Sequence, residues 1–196
     1  RAFSISSFSH KNTSNFFNDR MTLDLGFSYV IQKDQNMLSQ GQYFNPIVPL
    51  YLFPRGEDFT PYRMYERYDE GRQLMTQHWP YGEMGMAMQN PYWIINRNMF
   101  NNDRDRYMAN AGLKYKVFDW MDISGRVRID NANTRHTKKL YASTDAKFAQ
   151  NKGYYGDRKD VDKQLYADFL VNINKRFNDF DLTANVGASI QDVSMD

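Results

Sequence analysis

The chain has 196 residues, no cysteine and a net charge of +2. Without cysteine it has no disulfide, no thiolate metal site and no cysteine nucleophile. A net charge this close to zero argues against a protein built to bind nucleic acid. Aromatic residues make up 16% of the sequence, which is too many for a disordered chain of this length. The composition therefore indicates a folded, polar and aromatic-rich protein.

No apolar segment approaches the roughly 20 residues that a membrane-spanning helix needs. No signal-peptide pattern opens the chain. The first residue is Arg1 rather than a methionine, and the pattern that follows is already that of a strand. We therefore expect the sequence to be a piece of a longer protein.

Apolar and polar residues alternate over long stretches, and a period of two is typical of β-strands with two different faces. Between residues 22 and 32 the apolar side chains take the odd positions, from Leu23 to Ile31. Between residues 182 and 191 they take the even positions, from Leu182 to Ile190. The alternation predicts an all-β fold with about six antiparallel strands, which lie near 1–10, 21–32, 107–118, 121–131, 165–177 and 181–192.

The predicted connections alternate between short and long. Short turns fall near Asn15–Asp19, at residues 118–120 and at Asn178–Asp179, while long loops span 33–106 and 131–164. All short turns then lie at one edge of the sheet and all long loops at the other, and aromatic residues gather at the short-turn edge. This asymmetry is typical of outer-membrane barrels, which have short periplasmic turns, long extracellular loops and aromatic girdles.

A soluble antiparallel sheet also alternates, because it buries its apolar face and exposes its polar one. The alternative is therefore a soluble β-sandwich that binds carbohydrate, with Leu23, Phe27, Val127 and Ile173 in a water-free core. A transmembrane sheet would instead turn these side chains to lipid and its polar side chains to a lumen. The lumen-facing set would be Lys114, Lys116, Arg126, Arg128 and Asp130. Six strands are too few to close such a barrel, so this interpretation requires further strands.

An ordered series of motifs runs along most of the chain. It comprises Asn45-Pro46 with Leu50, Tyr51 and Phe53-Pro54-Arg55, then Tyr62 to Tyr68, Gln77-His78-Trp79, Asn90-Pro91-Tyr92-Trp93, Asn96-Arg97, Asp103 to Arg106, and finally Leu113, Tyr115, Asp119, Trp120, Gly125, Arg126 and Asp130. This series resembles the barrel of the SusC/RagA-type TonB-dependent outer-membrane transporters.

The resemblance implies a transmembrane barrel of about 22 strands in the bacterial outer membrane. This chain would supply about six of the strands and no plug domain. The resemblance also implies import of a large nutrient, an oligosaccharide or a peptide, driven by the TonB complex acting through the plug. A SusD-like surface lipoprotein would be the partner at the cell surface. No cofactor and no nucleic acid enter this function.

Signals for catalysis or metal binding are weak. His10, His78 and His136 fall in separate segments and lack metal-ligand spacing. The series Asn101, Asp103 and Asp105 opens like a calcium loop, but Arg106 stands where that loop needs glycine. We therefore predict no metal site and no enzyme. A carboxylate pair for glycoside hydrolysis stays open as a further alternative, with no pair marked out.

The long loops carry aromatic residues that suit binding, because flat rings stack on sugar faces and dominate protein interfaces. We predict substrate or partner contacts for Trp79, Tyr81, Tyr92, Trp93, Tyr154 and Tyr155. The structural alternative is that loop rings pack the loops on themselves, stiffened by prolines such as Pro46 and Pro54. We expect this packing role for most of the loop rings.

Overall fold

A computed structural model describes residues 2–37, 41–81 and 89–196. Its main element is a six-stranded, mostly antiparallel sheet in the order β1-β2-β5-β6-β7-β8, which is not closed. The strands are β1 (Ala2–Phe16), β2 (Met21–Gln35), β5 (Asn98–Phe118), β6 (Met121–Leu140), β7 (Tyr154–Phe177) and β8 (Phe180–Met195). The predicted all-β class is thereby confirmed.

The turn between β7 and β8 has the two residues that the sequence predicts. Phe177 pairs with Phe180, so Asn178 and Asp179 alone form the turn. Asn178 adopts a left-handed conformation with φ of 49°. Tight hairpins favour asparagine at such a position because its short polar side chain tolerates positive φ.

The other two short turns differ by a residue or two from the prediction. β5 continues through Phe118, which leaves Asp119 and Trp120 as the turn to β6. The Phe118 and Trp120 rings stack, with centroids 5.1 Å apart and planes at 7°. The first turn occupies residues 17–20, since β1 extends to Phe16 instead of ending near residue 10.

The strands also continue further at their other ends than hydrophobic alternation predicts. β5 begins at Asn98 rather than near 107, because the charged run at 103–106 is still extended. Polar contacts between neighbouring strands replace apolar contacts there. The Tyr29 hydroxyl donates to Asp105 at 3.3 Å, and Arg106 Nε donates to Asp130 Oδ1 at 2.8 Å.

The predicted long loop 33–106 contains secondary structure of its own. Its elements are helix α1 (Ile47–Leu52), a 3₁₀ turn (Thr60–Arg63), the antiparallel pair β3 (Glu66–Asp69) and β4 (Leu74–Gln77), and helix α2 (Pro91–Arg97). In the described part of the chain, no helix is long and apolar enough to cross a membrane.

The described residues form two compact units. The loop unit comprises Lys33–Asp103 and Arg135–Lys159 with the first residues of the chain, and the strand unit comprises Ile5–Gln32, Arg104–Thr134 and Asp160–Asp196. Most of the buried apolar core belongs to the loop unit, where its members are Trp79, Trp93, Ile94, Leu140 and Ala149. The loops are therefore the packed part of the protein, and the strand unit has few buried side chains.

Candidate functional site

Much of the apolar face of the strand unit is exposed, although Leu23 and Ile173 are half-buried. Phe27 and Val127 are 44% and 45% exposed, although the sandwich alternative needs both in a water-free core. Further large apolar side chains exposed on these strands are Leu25, Leu113, Ile129, Leu165, Phe169, Leu182, Val186 and Ile190. A soluble monomer rarely exposes a continuous apolar surface of this extent, which marks a surface that contacts lipid or protein.

The exposed apolar band has aromatic residues at both ends. Tyr29 and Tyr107 lie at one end, where Asn131 donates a hydrogen bond to the Tyr107 hydroxyl. At the short-turn end lie Phe16, Phe17, Phe118, Trp120, Phe177 and Phe180. Lys175 Nζ lies 4.4 Å from the centroid of Trp120, a cation–π contact typical of an interface between apolar and aqueous surroundings.

The length of this band can be compared with the hydrocarbon core that an outer-membrane barrel crosses. Between Tyr107 and Val117 the chain makes ten steps of about 3.3 Å, which gives roughly 33 Å of strand. At the usual tilt of about 35–45°, this length corresponds to a height of roughly 25 Å, as in known transmembrane barrels.

The opposite face of the strand unit carries ion pairs between neighbouring strands. Lys114 Nζ lies 3.4 Å from Asp122 Oδ2, which also accepts a hydrogen bond from Asn172 at 2.8 Å. Arg126 Nη2 lies 2.9 Å from Asp168 Oδ2. Such cross-strand pairs fix the register of the sheet, because a slip by one residue would move every charge to the apolar face.

The five side chains predicted to face a lumen fall into two groups on this polar face. Lys114, Arg126 and Asp130 each have an oppositely charged partner. Lys116 and Arg128 are exposed, and neither has an ion pair within the described residues.

Trp79 is the centre of an aromatic cluster in the loop unit. Its ring centroid lies 5.5 Å from those of Phe53 and Tyr62 and 5.7 Å from that of Tyr81. Only 4% of Trp79 is exposed. The ring packs the loop on itself, and Tyr81 at the edge of the cluster is half-buried. The binding role of both residues stays a prediction.

Trp93 is fully buried in helix α2 and has a structural role as well. Its indole Nε1 donates to Thr144 Oγ1 at 3.0 Å, and the side chain has 0% exposure. Asn90 is the N-cap of the helix, and its side-chain oxygen accepts a hydrogen bond from the Tyr92 amide at 2.8 Å. Pro91 occupies the first helical position. The Asn-Pro-Tyr-Trp motif is thus a capped corner, with Tyr92 half-buried.

A network of buried polar side chains joins the two long loops, and sequence reasoning missed it. Gln77 donates to Ser143 twice, from its backbone amide to the hydroxyl at 2.9 Å and from its side-chain Nε2 to the carbonyl oxygen at 2.5 Å. Its Oε1 accepts a hydrogen bond from the Asn90 amide at 3.2 Å. Gln89 accepts from the Asp145 amide at 3.1 Å. All of these residues are at most 5% exposed. Isolated polar residues carry no periodic signal, so nothing in the sequence marks this network.

Tyr154 and Tyr155, at the start of β7, are the most accessible of the predicted binding residues. They are 46% and 62% exposed. Lys139 Nζ lies 6.0 Å from the centroid of Tyr155, and Lys138 Nζ lies 5.5 Å from that of Tyr154. These two rings therefore combine an open face with a nearby positive charge.

The histidines form no metal centre. His78 Nδ1 lies 3.0 Å from the Met64 carbonyl oxygen, and His136 Nδ1 lies 2.6 Å from Asn102 Oδ1. Asn102 in turn donates to Asp34 at 2.7 Å, so its oxygen accepts the proton of His136 Nδ1. Within the described residues, no group of three His, Cys, Asp or Glu side chains is placed to hold a metal ion.

No protein-family model matches the chain, and a search of curated proteins finds no match.

Proposed function

We propose that this chain forms part of the wall of a transmembrane β-barrel in the bacterial outer membrane, within a TonB-dependent importer of the SusC/RagA type. The observation that carries the proposal is the exposed apolar band of the strand unit, which has aromatic residues at both ends. In lipid this band needs no covering layer, whereas in water its exposure would be unfavourable at about 25 cal/mol per Å². The importer would take up oligosaccharides or peptides.

The polar face supports the same proposal. Its ion pairs satisfy most of the charges that line one side of β5, β6 and β7, and Lys116 and Arg128 stay exposed. In a barrel this face lines the lumen, where it would contact a plug domain and the path of the substrate. Transport of this kind needs no covalent chemistry from the chain.

The two edge strands, β1 and β8, require partners in such a membrane. Unpaired backbone groups cost several kcal/mol each in a bilayer, so open sheet edges do not face lipid. We therefore propose that further strands continue the sheet beyond β1 and β8. A SusD-like lipoprotein would cover the loops at the cell surface, and the TonB complex would supply energy through the plug.

The test is the size and location of the natural polypeptide. Detergent-extracted outer membrane would be fractionated, and the intact mass of the polypeptide that contains this sequence would be measured. A mass several times 23.2 kDa with a co-purifying lipoprotein supports the proposal. A 23.2 kDa species in the soluble fraction contradicts it and would make the carbohydrate-binding sandwich the working hypothesis.

A further inference from the structure

The loop unit places one lysine among four aromatic rings. Lys138 Nζ lies 5.2 Å from the ring centroid of Phe44, 5.6 Å from those of Phe100 and Phe148, and 5.5 Å from that of Tyr154. Each distance is within the range of a cation–π contact. We call these four rings the ring platform.

The ring platform is held in place by contacts among its own rings and by a hydrogen bond from the buried side chain of Gln89. The centroids of Phe44 and Phe100 are 5.1 Å apart, and those of Phe44 and Phe148 are 5.0 Å apart. Gln89, which is 1% exposed, donates to the carbonyl of Tyr43 at 3.1 Å and so fixes the segment that carries Phe44. A platform ordered before binding loses little conformational entropy when a ligand arrives.

Lys138 differs from the paired cations of the loop unit. Arg97 Nε lies 2.7 Å from Glu66, and Arg135 donates to Asp157 at 2.9 Å. Within the described residues, no carboxylate lies within ion-pair distance of Lys138. Partial burial lowers the pKa of the Lys138 ammonium, as expected for a cation that has lost water without gaining a counter-ion.

A second ammonium group borders the platform. Lys147 Nζ lies 3.3 Å from the Tyr43 hydroxyl and 5.2 Å from the centroid of that ring. Tyr43 itself packs edge-to-face on Phe148, with centroids 4.8 Å apart. Tyr154 is the exposed ring of the platform, and the other three rings are half-buried. One open ring with two ammonium groups at the platform suits a ligand that is both ring-shaped and anionic.

We propose that the ring platform and Lys138 form a subsite for an acidic sugar of the substrate oligosaccharide. The sugar would stack on the exposed face of Tyr154, and its carboxylate would accept a hydrogen bond from Lys138. This inference rests on the proposed import function, and it narrows the substrate class from oligosaccharides or peptides to glycans that contain uronic or other sugar acids.

The sheet topology favours a sugar over a peptide at this place. Extended peptides commonly bind by adding a strand to a free sheet edge. Phe100, Lys138 and Tyr154 lie on β5, β6 and β7, which are interior strands whose neighbours occupy both sides. The groups that the ring platform presents to a ligand are aromatic rings and ammonium groups.

The experiment measures binding to the detergent-extracted protein, purified with its natural partners. The probes are oligogalacturonate, its neutral methyl-esterified form of equal length, and an acidic glutamate peptide. Lys138→Gln removes the charge, and Lys138→Arg retains it. Lys159→Gln is the matched control, because Lys159 is an exposed lysine further along β7 in the same loop unit.

We expect the wild-type protein to bind oligogalacturonate at least tenfold more tightly than its neutral form. Lys138→Gln should abolish this preference, while Lys138→Arg and Lys159→Gln should retain it. The inference is overturned when the wild type shows no preference for the acidic glycan, when Lys138→Gln leaves the preference unchanged, or when only the peptide binds. The cellular location of the protein is measured separately from its glycan binding. A protein found outside the outer membrane contradicts the import function, whereas the preference for the acidic glycan is decided by the binding measurement alone.

Discussion

Arg126 and Asp168 face each other on the polar side of the sheet, with the guanidinium Nη2 2.9 Å from the carboxylate Oδ2. The next residue, Val127, points to the other side and is 45% exposed. A single step along β6 thus separates a paired charge from an uncovered apolar side chain. This is the arrangement that a barrel wall between lipid and a polar lumen requires.

On the barrel proposal, Val127→Arg should impair assembly of the protein in the outer membrane. The substitution places a charge in the middle of the apolar band, and an arginine near the bilayer midplane costs about 2–4 kcal/mol on the lipid face of an outer-membrane barrel. The measurement is the fraction of protein that is folded in the outer membrane, judged by the heat-dependent shift in gel mobility. Arg128→Val is the control on the neighbouring polar position and should assemble close to normally. Normal assembly of Val127→Arg together with failure of Arg128→Val would show that the two faces are assigned the wrong way round.

Asn178→Val should destabilise the β7–β8 hairpin. Asn178 has φ of 49°, and a β-branched residue in the left-handed region costs about 1–2 kcal/mol. Asn178→Gly should be close to neutral, since glycine adopts positive φ without steric cost. Amide hydrogen exchange along β8 measures the effect. Equal exchange rates for the valine and glycine variants would contradict the turn geometry.

The loop unit should become less stable in acid, because protonation of Asp157 removes its ion pair with Arg135. Hydrogen bonds from Arg135, at 2.6 Å and 2.9 Å, hold the pKa of Asp157 below its ordinary value of 3.8. The pKa of Asp157 is lower in the folded protein than in the unfolded chain. The pair therefore stabilises the folded state fully above the ordinary pKa of 3.8, and this stabilisation disappears as the pH falls through the folded pKa. Thermal unfolding followed by tryptophan fluorescence should show the wild type losing its advantage over Asp157→Asn below pH 3.8. An advantage that persists through this range would contradict the role of the pair.

Trp93 should be required for the loop unit and not for ligand contact. Trp93→Ala should destabilise the unit by about 3–5 kcal/mol, because it removes a fully buried ring. Trp93→Phe keeps most of the packing and loses the hydrogen bond to Thr144. The Thr144 hydroxyl still donates to Asn98 at 2.8 Å, so the cost should be about 0.5–1.5 kcal/mol, that of one hydrogen bond. Limited proteolysis of the loops measures both effects. Tyr155→Ala, at a position 62% exposed, should leave proteolysis unchanged.

Hydrophobic alternation predicted the strand unit well, for a physical reason. Each of these strands presents one continuous apolar face, as in the run from Leu23 to Ile31, and a period of two survives wherever one face avoids water. The two-residue turn at Asn178 and Asp179 followed from the change of parity between its flanking strands, and the register confirms it.

The loop unit could not be predicted in the same way. Its elements are short, as in the seven residues of α2, and they are stabilised by contacts between residues far apart in sequence. The hydrogen bond from Trp93 to Thr144 spans 51 residues. The site at Lys138 likewise depends on rings from Phe44 to Tyr154 that only the fold brings together. The extended strand ends were missed because charges, and not apolar residues, pair the strands there.

The most direct test of the barrel proposal uses the absence of cysteine from the chain. Single variants Val127→Cys, Arg128→Cys and Ile129→Cys would be spin-labelled in the natural membrane assembly, without competing thiols from this sequence. Collision with oxygen, which concentrates in lipid, is then compared with collision with a water-soluble nickel chelate. The proposal predicts strong oxygen access at positions 127 and 129 and chelate access at 128. Equal chelate access at all three positions, or labels at 127 and 129 shielded from both reagents, would contradict it.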